Sequence, residues 1–369
     1  MDAARPSSAS SSRSRILSEI LRSPGCSRRS VATALGIVPA TVGTQVKKLI
    51  DHGFVREGTP DTSGHGRPSI PLEVVPDRGY LIGVSVHHGS ALITAVTIDG
   101  IIIGSRNLTF APTTDPLDPI VEGIQQLRHE LTHLPALAIG IAISGATDPQ
   151  RGVVLLSVVM GWTGRAIGHE LAAATGLRAY LVNDVIALAT RELAFATSIA
   201  DDFLLLHLDE GIGMSIVTGR RVMQGITRDS TEFGHTSLDP EGAPCGCGNK
   251  GCMQTVFGWY ELDAACPGGL PPFGIDAQHP ASSILQERAA IVGHGVGAVA
   301  TLLGITTVRI TGRTTGYWPV IAPAFLAALE SSTPTLSEQM TVEVNDWDDT
   351  FPAAGAAGIA LGAHVESLR

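Results

Sequence analysis

The chain has 369 residues, 44% of them hydrophobic and only 16% charged, which excludes a mainly disordered protein and supplies apolar material for more than one core. A formal net charge of -10 argues against a nucleic-acid binder, but only as an average over the whole chain. Residues 1–80 carry 11 Lys and Arg against 7 Asp and Glu, a net of +4, and the remainder carries 14 against 28, a net of -14. This split is what a small phosphate-binding module on a phosphate-repelling body would give.

Residues 1–14 are Ser-rich, lack the apolar run of a secretory signal and read as a disordered tail. No stretch of roughly 18 apolar residues suggests a membrane span, so a cytoplasmic protein without a membrane partner is expected. Residues 15–78 read as one domain. Ile16, Leu17, Ile20 and Leu21 recur at helical spacing before Pro24-Gly25. Ser27 caps a second helix with Val31, Ala32 and Leu35 on one face, stopping at Gly36. Pro39 opens a third helix, in which Val42, Val46, Leu49 and Ile50 form the buried stripe.

Two short extended runs follow, 54–57 and 70–75, around a polar loop that holds Arg67. Three helices and a basic-tipped hairpin in this order read as a winged helix-turn-helix whose third helix enters the major groove of DNA. Thr41, Thr44, Gln45 and Lys48 are then the candidates for base edges or phosphates, Arg67 for phosphate or the minor groove, and Arg28 and Arg29 for the DNA backbone. The alternative is a three-helix protein-interaction module.

From Tyr80 the pattern changes to short apolar strands at 81–86, 91–98 and 101–106, a helix at 120–131 and a strand at 136–143. A helix at 165–175 and a strand at 179–182 leading to Asn183-Asp184 follow. A second series opens with strands at 203–208 and 214–217. Two similar α/β lobes are expected, at 79–197 and 198–369.

The strongest chemical signal is His235 with Cys245, Cys247 and Cys252, one imidazole and three thiols within eighteen positions. Zinc prefers these donors, and four protein ligands mark a structural rather than a catalytic Zn2+ site. Gly246, Gly248 and Gly251 let so short a loop turn its sulfurs inward.

The run Glu232-Phe233-Gly234-His235 with Cys245-Gly-Cys247-Gly-Asn-Lys-Gly-Cys252 resembles the signature of the ROK family of repressors, open reading frames and sugar kinases. Gly140 to Gly145, Gly161-Trp162, Asn183-Asp184 and the glycine-spaced segment from Gly355 to Gly362 extend the resemblance over the body. It implies an actin-like, ribonuclease H-like body of two lobes with a sugar cleft between them, zinc bracing one wall, and a C-terminal helix packing back on lobe 1. It also implies that Asn183, Asp184, Glu232 and His235 bond sugar hydroxyls, with Gly145 at the cleft. Gln254 stands where the family usually has Glu, an amide that bonds a hydroxyl without bringing charge.

In the family's kinases Asp184 would be the general base. Those kinases also carry an Asp-x-Gly-Gly-Thr motif, where this chain has Ser85 to Gly89, and a Gly-Thr-Gly-Ile-Gly loop, where it has Asp209-Glu210-Gly211-Ile212-Gly213. Two carboxylates in the place of anionic phosphates repel them. The expectation is a non-enzymatic, DNA-binding transcriptional regulator, a repressor, controlled by a sugar or sugar phosphate. It would act as a homodimer or homotetramer on a double-stranded operator. The alternatives are a sugar kinase with a DNA-binding appendage and a regulator that has lost sugar binding.

Overall fold

The computed structural model describes residues 12–60, 69–195, 199–223, 232–271 and 274–368. The first helix, α1 (Ser12–Arg22), starts inside the segment expected to be tail. Residues 12–14 are ordered by contacts that composition does not carry, since Arg13 and Ser14 bond to residues more than 350 positions away.

Helix α2 (Arg28–Leu35) opens with a capping box between Ser27 and Ser30 and ends at Gly36, whose φ of 62° is the left-handed cap that glycine adopts without strain. Helix α3 (Pro39–Asp51) starts at its proline and buries Val42, Val46 and Leu49. Strands β1 (Val55–Glu57) and β2 (Leu72–Val74) pair antiparallel as the base of the wing. Arg67 lies outside the described residues.

The body begins with β3 (Tyr80–His87), β4 (Ser90–Thr97) and β5 (Ile102–Thr109), then α4 (Leu117–Glu130) and β6 (Ala136–Ile143). A small antiparallel sheet of β7 (Ala146–Asp148), β8 (Val153–Ser157) and β9 (Trp162–Arg165) intervenes. It precedes α5 (Ile167–Thr175), β10 (Ala179–Asn183) and α6 (Asp184–Phe195). The second half has β11 (Phe203–Leu208), β12 (Ile212–Thr218) and β13 (Arg221–Val222), then α7 (Met253–Phe257), α8 (Trp259–Ala265) and α9 (Ser282–Leu303). It closes with β14 (Thr307–Thr311), α10 (Trp318–Ser332), β15 (Thr341–Val344) and α11 (Phe351–Glu366).

The two large sheets run in the orders β5-β4-β3-β6-β10 and β13-β12-β11-β14-β15, each with three antiparallel strands followed by two parallel ones. The halves repeat one topology and exchange their last helices. Helix α6 leaves the first sheet and packs Leu188 and Ala189 against Phe203, Leu205 and Val217 of the second. Helix α11 leaves the second sheet and covers Leu81 and Ala138 of the first with Ala354 and Ala357. The approach is backbone to backbone: a Cβ at Gly83 would lie 1.9 Å from the Ala353 carbonyl oxygen, and one at Gly140 would lie 1.9 Å from that of Ala356.

The same helix continues into the N-terminal domain. Leu361 and Val365 share a core with Ile16, Leu17 and Ile20. The buried Arg13 donates to the carbonyl oxygens of Val365 at 2.6 Å and Leu368 at 2.7 Å, and Glu366 accepts from the Ser14 N–H at 2.6 Å. His364 sits against the Phe54 ring, where burial, with Arg178 and Arg78 nearby, holds its imidazole below the ordinary value. N-terminal domain and first lobe therefore share one hydrophobic core.

Candidate functional site

The first lobe's contribution to the cleft sits where β10 ends and α6 begins. Asn183 is buried there because its amide caps the helix: Oδ1 accepts from the Val185 N–H at 2.9 Å and the Ile186 N–H at 3.3 Å, while Nδ2 donates to the Gly145 carbonyl at 2.9 Å. Asp184, the first helical residue, is half-buried and lines a cavity of about 50 Å³ together with Gly145, Asn183, Glu232, His235 and Gln254. The structure thus gathers all six residues named for sugar binding around one space. Asn183 spends its bonds on backbone, leaving Asp184 and Glu232 as the carboxylates on the cavity wall.

Gln254 lies on α7, just after the last cysteine, and is likewise tied to main chain. Its Oε1 accepts from the Ile212 N–H at 2.9 Å and its Nε2 donates to the Glu210 carbonyl at 3.1 Å. It therefore clamps the β11–β12 turn. In that turn Asp209 accepts from the backbone N–H groups of Glu210 at 2.8 Å and Arg313 at 3.3 Å, and lies 3.8 Å from the Arg313 guanidinium. Glu210 accepts from the Tyr260 hydroxyl at 3.2 Å, and burial with this neighbouring carboxylate pushes the phenol up to about 12. Both carboxylates have internal partners.

One wall residue escaped the sequence reading. His207 is the single polar residue in the otherwise apolar β11; it is 5% exposed, lines the same cavity and has no hydrogen-bond partner at Nε2. Its ring lies 5.3 Å from that of Trp347. A lone imidazole in a run of leucines was the available signal.

Behind His235 the predicted ligands converge. One donor atom each from His235, Cys245, Cys247 and Cys252 lies within 4.8 Å of all the others. Cys245 Sγ is 3.5 Å from His235 Nδ1 and Cys247 Sγ is 3.7 Å from Cys252 Sγ. A tetrahedral ion with metal–sulfur bonds of about 2.3 Å sets ligand–ligand edges of about 3.8 Å, so the spacing fits zinc. Burial and the adjacent thiols push the Cys252 thiol up to about 12. A bound cation would reverse this and hold the three cysteines as thiolates.

On the N-terminal domain, Ala40, Thr41, Thr44 and Lys47 of α3 are exposed, and Lys48 is half-buried beside them. Lys47 pairs with Asp51 at 2.8 Å, and Thr44 donates back to the Ala40 carbonyl. Gln45, half-buried, accepts from Arg13 Nε at 2.9 Å. Arg29 is exposed, and Arg28 pairs with Glu57 of the wing at 2.6 Å. Lys47 joins the outward stripe.

A duplicated two-lobed α/β body with a polar cleft, joined to a trihelical winged domain, defines an actin-like protein with a DNA-reader fold at one end. Comparison with known proteins agrees: residues 82–264 match the ROK family and residues 11–56 match the winged helix-turn-helix DNA-binding family. Residues 82–264 thus form a ROK family domain, and a winged helix-turn-helix stands in front of it.

The chain is 24% identical over 237 residues to the DNA-binding transcriptional repressor Mlc of Escherichia coli, covering 62% of this chain and 58% of that protein. Against the xylose repressor of Bacillus subtilis it is 25% identical over 247 residues, covering 65% and 63%. The chain thus spans about three fifths of the length of these curated relatives. A solved ROK transcriptional regulator, described as a homologue of E. coli Mlc, superposes with a TM-score of 0.77 at 21% identity over 96% of both chains. A ROK glucokinase from Streptomyces griseus, solved with glucose and AMPPNP, superposes at 0.63 with 22% identity, covering 76% of this chain and 99% of that one. Among the described residues no helix is long and apolar enough to cross a membrane.

Proposed function

We propose that the protein is a DNA-binding transcriptional repressor whose cleft senses a sugar, acting as a homodimer or homotetramer on an operator, with a structural zinc at His235, Cys245, Cys247 and Cys252. The observation that carries this reading is the continuous packing from cleft to reader: Asp184 begins α6, α6 packs on α11, and α11 shares its core with α1. A ligand that changes the angle between the lobes would move these helices and thereby the spacing of two winged domains on DNA. When bound, zinc would supply a rigid link holding the His235 side of the cleft, since His235 belongs to both cavity and cluster.

Catalysis of phosphoryl transfer does not suit the β11–β12 turn. Asp209 and Glu210 present carboxylates where the family's kinases cradle phosphates, and both are engaged by Arg313 and Tyr260. The repressor names of the curated relatives support the same reading.

Two expected results test it. Titration of the protein–operator complex with xylose, N-acetylglucosamine and glucose should release or tighten DNA with one of them, and Asp184→Ala should abolish that response while leaving operator affinity in the absence of sugar within about twofold. Retention of the full response in Asp184→Ala would remove the carboxylate from sensing. On the DNA side, Lys47→Ala with Lys48→Ala should weaken operator binding and flatten its dependence on salt by about one to two units of the log–log slope, each phosphate contact contributing about 0.9. An unchanged slope would place DNA elsewhere.

A further inference from the structure

We infer that the preferred effector extends beyond the single sugar at the Asp184 site: a neutral or amine-bearing glycoside or oligosaccharide, bound more tightly than its parent monosaccharide or a sugar phosphate, with its second unit held in a separate cavity flanking that site. The inference rests on the sugar-sensing reading and adds to it the size and charge of the ligand. The space around Asp184 and Glu232 is about 50 Å³, whereas a cavity of about 290 Å³ lies beyond Val158, Val159 and Gln254, which line both. The larger volume is therefore next to the sugar-binding carboxylates, separated from them only by a shared wall.

Its lining has the chemistry of a saccharide subsite. His88, in the β3–β4 turn of the first lobe, meets Tyr260 on α8 of the second edge to face, with ring centroids 6.5 Å apart. Tyr260 remains 47% exposed, which leaves aromatic surface for the C–H face of a sugar ring. Acceptors for hydroxyl groups stand beside it: Glu210, buried and holding the Tyr260 hydroxyl, and Glu261, whose Oε2 is buried without a hydrogen-bond partner. A buried acceptor left unsatisfied gains when a donor arrives. No Lys or Arg lines the cavity; Arg288 and Arg313 act on Glu261 and Tyr260 from behind it, so what an occupant meets directly is the two carboxylates, which disfavour phosphate relative to hydroxyl or ammonium groups. An occupant would touch both lobes at once, bridging His88 to Tyr260.

The test is calorimetric titration of the full chain with three sets of probes. The first is xylose, N-acetylglucosamine and glucose; the second is their disaccharides and phenyl glycosides in both anomeric series; the third is glucose 6-phosphate and N-acetylglucosamine 6-phosphate. At least one member of the second set should bind tenfold or more tightly than its parent monosaccharide, and the phosphates should bind more weakly than the parent. Tyr260→Ala should erase the tenfold gain and leave the monosaccharide dissociation constant within twofold, whereas Asp184→Ala should lose both ligands. Equal affinity for short and long ligands, or an equal loss of both in Tyr260→Ala, with Asp184 dependence intact, overturns the second subsite alone. Binding of no sugar of any length overturns it together with the sugar-sensing reading.

Discussion

Stripping the metal cluster, by chelation or by Cys247→Ser, is expected to cost the protein both its zinc and several kilocalories of stability. The cluster closes a loop held otherwise by short-range backbone hydrogen bonds: Cys245, Cys247 and Cys252 lie within eight positions, and Gly248 and Gly251 adopt positive φ to let the chain double back. Apolar packing is sparse along residues 236–251, many of which are exposed, so metal–ligand bonds would take the place of a core there. Binding free energies of about 10–16 kcal/mol in isolated zinc-finger peptides set the upper limit, and the surrounding lobe retains its own core.

A loss of about 3 kcal/mol is expected, which for a body of this size lowers Tm by roughly 6–12 °C. The second consequence is functional, because His235 links the cluster to the cavity: the metal-free protein should bind operator but respond weakly to sugar. Metal analysis, thermal unfolding and operator titration check the three parts. Cys247→Ser with full zinc and an unchanged Tm would show that the thiol is not a ligand.

Arg13→Ala is expected to have a comparable effect at the other end of the molecule. The Arg13 guanidinium is buried and joins three elements: the Val365 and Leu368 carbonyls at the end of α11, and Gln45 on α3. Carbonyls at a helix C-terminus lack intrahelical donors and carry the negative end of the helix dipole, so a cation there satisfies both needs. Truncation leaves the Leu368 carbonyl and Gln45 without this donor and the Val365 carbonyl with only backbone donors at the helix end, in a space too enclosed for full hydration, for a loss of about 3 kcal/mol.

The regulatory outcome is more specific. With the polar tie of α1 and α3 to α11 cut and only the Ser14–Glu366 bond and apolar packing left, the winged domain should still recognise its operator, but affinity should change less when sugar binds. Urea unfolding and operator titration with and without sugar read the two effects. Full stability together with an intact sugar response in Arg13→Ala would exclude this junction as the link.

Local chemistry explains what could be read from residues alone. Ser27, Gly36 and Pro39 mark helix ends through bonds and torsions confined to a few neighbours, and α2 and α3 begin and end beside them. The apolar run 136–143 coincides with β6, and the four metal ligands lie close enough in sequence for spacing to reveal them. Helical periodicity places Gln45 beside Thr41 and Lys48 but does not reveal its bond to Arg13, which comes from 32 positions earlier.

Gln254 illustrates the same limit, since the backbone groups that occupy its amide lie 42 and 44 positions away. The exchange of α6 and α11 between lobes was beyond periodicity altogether. Glycine in a strand signals close approach of some backbone, but nothing near Gly83 or Gly140 in sequence identifies α11 as the one that approaches.

That approach also sets an order of events during synthesis. The sheet face bearing Gly83 leaves the ribosome some 270 residues before Ala353, which at about 5–20 residues per second is a delay of roughly 13–54 s. Throughout that interval the apolar face of β3 and β6, and the face of α1 that meets Leu361 and Val365, lack the helix that packs on them. The winged domain emerges well before α11, yet it acquires its final hydrophobic contacts only when α11 docks. The packing that joins the winged domain to the first lobe is thus completed late, and until then the N-terminal half presents the kind of apolar surface that chaperones hold.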